Sequence, residues 1–258
     1  MPFSRGLDIK SLSNPMGFVY GKGVFGPDPE IRRLSDIRRS LSDPDCEGPE
    51  ELYAIVMDVG KKKDRRDLIK RNLLFGVVTY SAGRLGDEPV RSQGHIHAVS
   101  PSCGLSTCEV YEIWEGEAVI YMQESGGDDP GRCYAVHASE GDVVIVPPGW
   151  VHATVNADYM NPMTFGAWCV RDYGFDYRDV RRHGGIAFFP KIKDGGLAWE
   201  KNPGYTGGTL TEKKARTYED FGLIPGVGIY PQYESERARF DFVKNPAPFG
   251  KLWKNYRP

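Results

Sequence analysis

The 258-residue chain carries 33 lysines and arginines against 35 aspartates and glutamates, a net charge of −2, and 40% of its residues are hydrophobic. This balance provides no nucleic-acid stripe and no cationic membrane face, and no stretch approaches the ~20 consecutive apolar residues of a membrane helix. Five irregularly spaced cysteines (Cys46, Cys103, Cys108, Cys133 and Cys169) argue against a disulfide framework and for a reducing compartment. With no apolar leader over residues 1–10, the expected setting is cytoplasmic.

Residues 1–30 are rich in glycine and proline without a clear period, and are expected to wrap over a neighbour or extend. Ile31, Leu34, Ile37 and Leu41 fall at helical spacing, which predicts a short amphipathic helix over 31–41 that stops before Pro44. Strands are expected at 52–57 and 73–80, with the basic run 61–67 between them read as a solvated loop. Short apolar runs then recur at 110–113, 118–122, 134–136, 143–146 and 163–170. Turn residues separate them: Glu115-Gly116, Gly126-Gly127, Pro147-Pro148-Gly149 and Asn161-Pro162. Many short strands with regular turns indicate a β-sandwich or barrel. Further on, 186–189 reads as an edge strand and 212–221 as helical. The aromatic and charged run 230–242 suits packing on the barrel or on a dimer mate. The organisation expected is an N-terminal arm with a short helix over 1–50, a barrel over 51–190 and a C-terminal extension over 191–258 packing on the barrel.

The chemistry concentrates in two spaced groups. In the first, His95-Ile96-His97 precedes Glu109, which is separated from Gly116 by six residues. Residues two apart on a strand share a face, so His95 can point with His97, and Glu109 with Tyr111. Glu112, three positions after Glu109, is expected on the opposite face. In the second group, Gly141, Pro147, Gly149, His152 and Asn156 form a turn that leads into a strand delivering His152, with Thr154 and Asn156 beside it. Cys103 and Cys108, between His97 and Glu109, allow a rival structural zinc site with the two histidines. His137 and His183 lie outside both groups, and His137 reads as a strand surface residue.

Together the two groups resemble the signature motifs of the cupin superfamily. The resemblance implies an all-β double-stranded β-helix, or jelly-roll, barrel in which His95, His97, Glu109 and His152 hold one divalent metal ion. The nitrogen and oxygen donor set suits Fe²⁺ first, with Mn²⁺, Ni²⁺ or Zn²⁺ as alternatives. Against the usual motif, the segment 98–108 reads as a loop insertion, and no glycine stands at the usual spacing before His95.

The segments Glu109-Val110-Tyr111, the run 146–156, Gly174-Phe175-Asp176-Tyr177, Arg32-Arg33-Leu34-Ser35-Asp36 and Leu52-Tyr53-Ala54-Ile55 resemble the cupin-type glucose-6-phosphate isomerases. The resemblance spans about residues 31–205 and implies a homodimer that interconverts glucose 6-phosphate and fructose 6-phosphate. It implies catalytic roles for Glu109, Tyr111 and Tyr177, and substrate contacts for Ser92, Gly94, Tyr53 and His152, with Ser92 and Gly94 at the phosphate. Three positions depart from the family. Phe175 replaces a histidine and Cys169 a tyrosine, while Val77 stands where a threonine is expected near the phosphate, with Thr79 on its face as a stand-in. An isomerase of another sugar or sugar phosphate, a cupin dioxygenase and a non-catalytic sugar-binding cupin are the competing readings.

Overall fold

Leu73–Tyr80 and Met163–Val170 are buried along their whole length, on both faces, and they pair antiparallel in register from Leu73↔Val170 to Tyr80↔Met163. This pair is the centre of the fold in the computed structural model, which describes residues 4–258. The strands that build the site are β1 (Glu30–Arg33), β2 (Glu51–Met57), β3 (Leu73–Tyr80), β4 (Ile96–His97), β5 (Glu109–Glu115), β6 (Ala118–Gln123), β7 (Arg132–Ala138), β8 (Val143–Val146), β9 (Val151–Asn156), β10 (Met163–Val170), β11 (Phe175–Asp176) and β12 (Thr209–Lys214). One sheet runs β8-β5-β10-β3-β2-β1, and a second runs β9-β6-β7-β12. All pairs are antiparallel except β7 with β12.

Inward side chains of both sheets, among them Tyr111, Ile120, Met122 and Val136, merge in one core. Closing two antiparallel sheets in this way gives the cupin jelly roll. The crossing segment 91–97 is tied to β9 by bridges Arg91↔Val155 and His95↔His152, and β4 pairs with β11. Among the described residues, no helix is long and apolar enough to cross a membrane.

Several local expectations change. The 31–41 pattern is not one helix. Glu30–Arg33 pairs with β2 at the sheet edge, and the helix is confined to Leu34–Ile37 (α1) and a 3-10 turn over Arg38–Ser40. An available sheet edge outweighs the helical spacing there, while Leu34, Ile37 and Leu41 are still buried. The basic run 61–67 forms part of a helical turn and of α2 (Arg65–Lys70). Asp64 within it is buried, accepting hydrogen bonds from Arg237 at 2.7 Å and Tyr230 at 3.1 Å. Residues 212–214, expected as helix, extend β12 along the open edge of β7.

The outer faces of β3, β5 and β10 are covered by the chain after residue 205. Trp168 of β10 packs on Tyr230 and Tyr233 of α3 (Ile229–Ser235) and on Phe240, at ring distances of 5.5, 4.8 and 5.3 Å. This explains why β3 and β10 show no apolar–polar alternation, since both of their faces are buried.

Candidate metal centre and active site

His95, His97, Glu109 and His152 converge, with their ligating atoms all within 4.8 Å of one another. Three pieces of backbone deliver them. His97 lies on β4, Glu109 on β5 and His152 on β9, and His95 is bridged directly to His152. Gly94 permits the approach of this segment. Its φ is +91°, and a Cβ there would meet Ile186 Cγ2 at 2.7 Å.

The imidazoles are set up as metal ligands. His97 Nδ1–H donates to the carbonyl of Thr107 at 3.1 Å, and His152 Nδ1–H to that of Trp150 at 3.2 Å. Those bonds fix the tautomer and leave Nε2 with a free lone pair. The Nε2 atoms of His95, His97 and His152 are all buried without a hydrogen-bond partner. A buried nitrogen in that condition is costly unless something occupies it. Nε2 of His97 and of His152 lie 3.2 and 3.3 Å from Glu109 Oε2, but neither is aligned as a hydrogen bond. Ligands at about 2.0–2.2 Å from a common ion would have such separations. Burial holds the His95 and His152 imidazoles below their usual range, so they are neutral and able to coordinate. The residues present therefore fit a divalent ion.

Glu109 is held from both ends. Tyr111 donates its phenol to Oε2 at 2.7 Å, and the Cys169 thiol lies 3.1 Å from Oε1. Burial, reinforced by the Glu109 charge, pushes the Tyr111 phenol well above its usual range, so it keeps its proton. The rival zinc site does not assemble. Cys108 Sγ faces the carbonyl of Phe242 and Cys103 Sγ that of Leu105. Nor is the inserted loop loose, since Asp172 accepts from Ser100 Oγ at 2.8 Å and from the Ser102 amide at 3.0 Å.

Around the cluster lies a pocket lined by Tyr53, Ser92, Gly94, Glu109, Tyr111, His152 and Tyr177, all expected at the site. Tyr53 stacks on Tyr80 with centroids 4.7 Å apart, and Phe175 packs on His95 at 4.5 Å. The backbone amide of Thr154 donates to Ser92 Oγ at 3.0 Å. Val77 and Thr79 are not at the pocket. The wall is made by Gly76, Val78 and Tyr80, the other face of β3, while Thr79 Oγ1 meets Thr164 Oγ1 at 2.9 Å. Trp150 does not line the pocket but stacks on Tyr134 at 6.1 Å beneath the C-terminal segment. Sequence reasoning missed Tyr80, Gln93, Phe165 and, as a pocket residue, Arg32. His137 lies at the surface, 2.8 Å from Glu212.

Fold and site together define a cupin with a His/Glu cluster that could hold a divalent metal ion. The glucose-6-phosphate isomerase (GPI) family matches residues 43–206, and the chain belongs to that family. It is 26% identical over 182 residues to a glucose-6-phosphate isomerase of Thermococcus litoralis, covering 67% of this chain and 85% of that one. Identity with the enzyme of the same name from Pyrococcus furiosus is 29% over 163 residues, covering 62% and 80% of the two chains. With that of Thermococcus onnurineus it is 30% over 162 residues, covering 60% and 76%. A solved oxalate oxidase aligns over 48% of this chain and 54% of its own at 14% identity, with a TM-score of 0.36.

Proposed function

We propose that the chain is a metal-dependent aldose–ketose isomerase that interconverts glucose 6-phosphate and fructose 6-phosphate. One observation carries the reading in a member of this family. Three buried imidazole Nε2 atoms without partners and one carboxylate converge on the wall of a pocket lined by tyrosines and one arginine. The ligands would be His95, His97, Glu109 and His152. The ion would be Fe²⁺, with Mn²⁺, Ni²⁺ or Zn²⁺ compatible with the same donors. When bound, it supplies positive charge beside the oxygens of the reacting carbons.

The protein's own groups do the rest. A hydrogen must move between neighbouring carbons, which calls for a proton acceptor held close to both. Glu109 is that acceptor, and Tyr111 holds its carboxylate from the side. Tyr177 and Tyr53 flank the sugar, and the His152 ring borders it. Ser92 and the Gly94 backbone receive the phosphate. Kinship to the family also supports a homodimer in the cytoplasm.

The test is a coupled assay in which glucose 6-phosphate formed from fructose 6-phosphate is oxidised by a dehydrogenase and read as reduced nicotinamide. Metal-loaded protein should turn over, chelated protein should not, and re-addition of Fe²⁺, Mn²⁺, Ni²⁺ or Zn²⁺ should restore the rate. Full activity in chelator, with no ion retained, would overturn the metal-dependent reading.

A further inference from the structure

Arg32 is the one lysine or arginine among the described residues that line the pocket. It lies on β1, opposite Tyr53 in register, with its side chain 27% exposed. Its ion-pair partner is Glu30, 2.5 Å away on the same strand, whose side chain is 61% exposed. A partner so open to solvent offsets little of the cation's charge. A guanidinium presents five N–H donors in a planar fork, so donors remain for a ligand inside the pocket. An arginine serving only solubility would not be drawn in beside the Tyr53 and Tyr177 rings that line the same wall.

The sheet order adds a directional argument. Glu109 sits on β5 and Arg32 on β1, four strands apart along the curled sheet, yet both line one pocket. The pocket thus carries a carboxylate on one strand and a cation on another, four strands along the sheet. That polarity suits a molecule with its reacting carbons at one end and an anionic group at the other.

We propose that Arg32 recognises the phosphate monoester of the substrate and sets the preference for a phosphorylated over a free sugar. For the sugar this rests on the isomerase reading above; for the anion it rests on Arg32 alone. The fork of arginine matches two phosphate oxygens, which lysine, a point charge, does not. Ser92 and the Gly94 amide, which line the same pocket, would add donors to an anion seat whose fixed charge is Arg32.

The experiment compares wild type with Arg32→Met and Arg32→Lys, each metal-loaded. Titration calorimetry measures binding of inorganic phosphate, and the coupled assay measures KM and kcat for fructose 6-phosphate. Metal content and circular dichroism should match wild type in both variants. For Arg32→Met we expect phosphate affinity to fall and KM to rise by about 10- to 100-fold, the loss of a charge-assisted hydrogen-bonded pair, with kcat changed far less. Arg32→Lys should recover part of the affinity. Phosphate binding that is equal in wild type and Arg32→Met, or absent from wild type, would overturn the proposal. A wild type that binds phosphate through Arg32 but turns over no hexose phosphate would overturn the isomerase reading and support the anion seat. If Arg32→Met does not fold, Arg32→Lys decides, and unchanged phosphate affinity and KM there count against a bidentate role.

Discussion

The backbone N–H of Ile229 donates to Glu112 Oε1 at 2.6 Å, which joins the C-terminal segment to a strand that carries a metal-ligand candidate. Trp114 Nε1–H donates to the other oxygen at 2.8 Å. Glu112 therefore points away from Glu109, three residues earlier, as strand alternation requires. The two carboxylates should respond oppositely to the same change. Glu109→Gln should release the metal and lower turnover by roughly 10²–10⁴, because it removes a ligand charge and a proton acceptor together. Glu112→Gln should keep one ion per chain and turnover within a few-fold. Metal analysis and the coupled assay check both, and the reverse pattern would place the wrong face of β5 at the site.

The same carboxyl predicts a pH effect on stability. Burial is the largest influence on Glu112 and raises it from 4.5 to about 7, against the opposing hydrogen bonds from Ile229 and Trp114. Between those values the folded state binds a proton that the unfolded state has released, so stability falls as pH rises through about 4.5 to 7. The contribution is up to about 3 kcal/mol over that window. Glu112→Gln cannot titrate, so its stability should lack this component of the fall. Because Gln sets an NH₂ group against one of the two N–H donors, the variant should also be less stable at pH 5, by ~1–3 kcal/mol. Urea unfolding at pH 5, 6, 7 and 8 reads both effects, and parallel pH profiles for the two proteins would contradict the assignment.

The fold and the convergence of the four candidate ligands are legible in the sequence, whereas the wall of the pocket is legible only in part. The spacing of His95, His97, Glu109 and His152 works with a strict period of two, so strand pairing can bring them together only one way round. The family resemblance puts Val77 and Thr79 near the phosphate, and the strand Leu-Leu-Phe-Gly-Val-Val-Thr-Tyr, apolar on both sides, carries no alternation to show that its other face points in. Arg32 was hidden by a helical spacing that local pairing with β2 overrides. The role of β12 was out of reach because an edge strand from a distant part of the chain leaves no local sign.

Cys169 gives a third prediction. Its thiol lies 3.1 Å from Glu109 Oε1, where the sequence resemblance expected a tyrosine. Groups that orient a ligating carboxylate tune metal affinity by about 10- to 100-fold when removed. Cys169→Ala should therefore weaken metal binding within that range, and Cys169→Ser, which keeps a donor, should weaken it less. Competition with a chromogenic chelator measures this directly. Equal affinity in Cys169→Ala and wild type would show that Tyr111 alone orients Glu109.

The last prediction concerns the chain after residue 205. Tyr230, Tyr233 and Phe240 are fully buried against Trp168, and Phe242 is 1% exposed in the same core. Fully burying a large apolar side chain stabilises by about 1.5–3 kcal/mol, so four of them supply roughly 6–12 kcal/mol. That is comparable to the whole stability of an ordinary domain, about 5–15 kcal/mol. Truncation also exposes Trp168 and Phe75 on the outer face of the barrel and strips Ile229 from Glu112. All four metal-ligand candidates precede residue 205, so a chain ending there keeps the site on paper but should not hold it in solution. We expect such a truncation to be aggregated, or to bind a hydrophobic dye while losing near-ultraviolet circular dichroism and its metal. A soluble truncated protein with the wild-type melting temperature and one ion per chain would show that the barrel is stable without this cover.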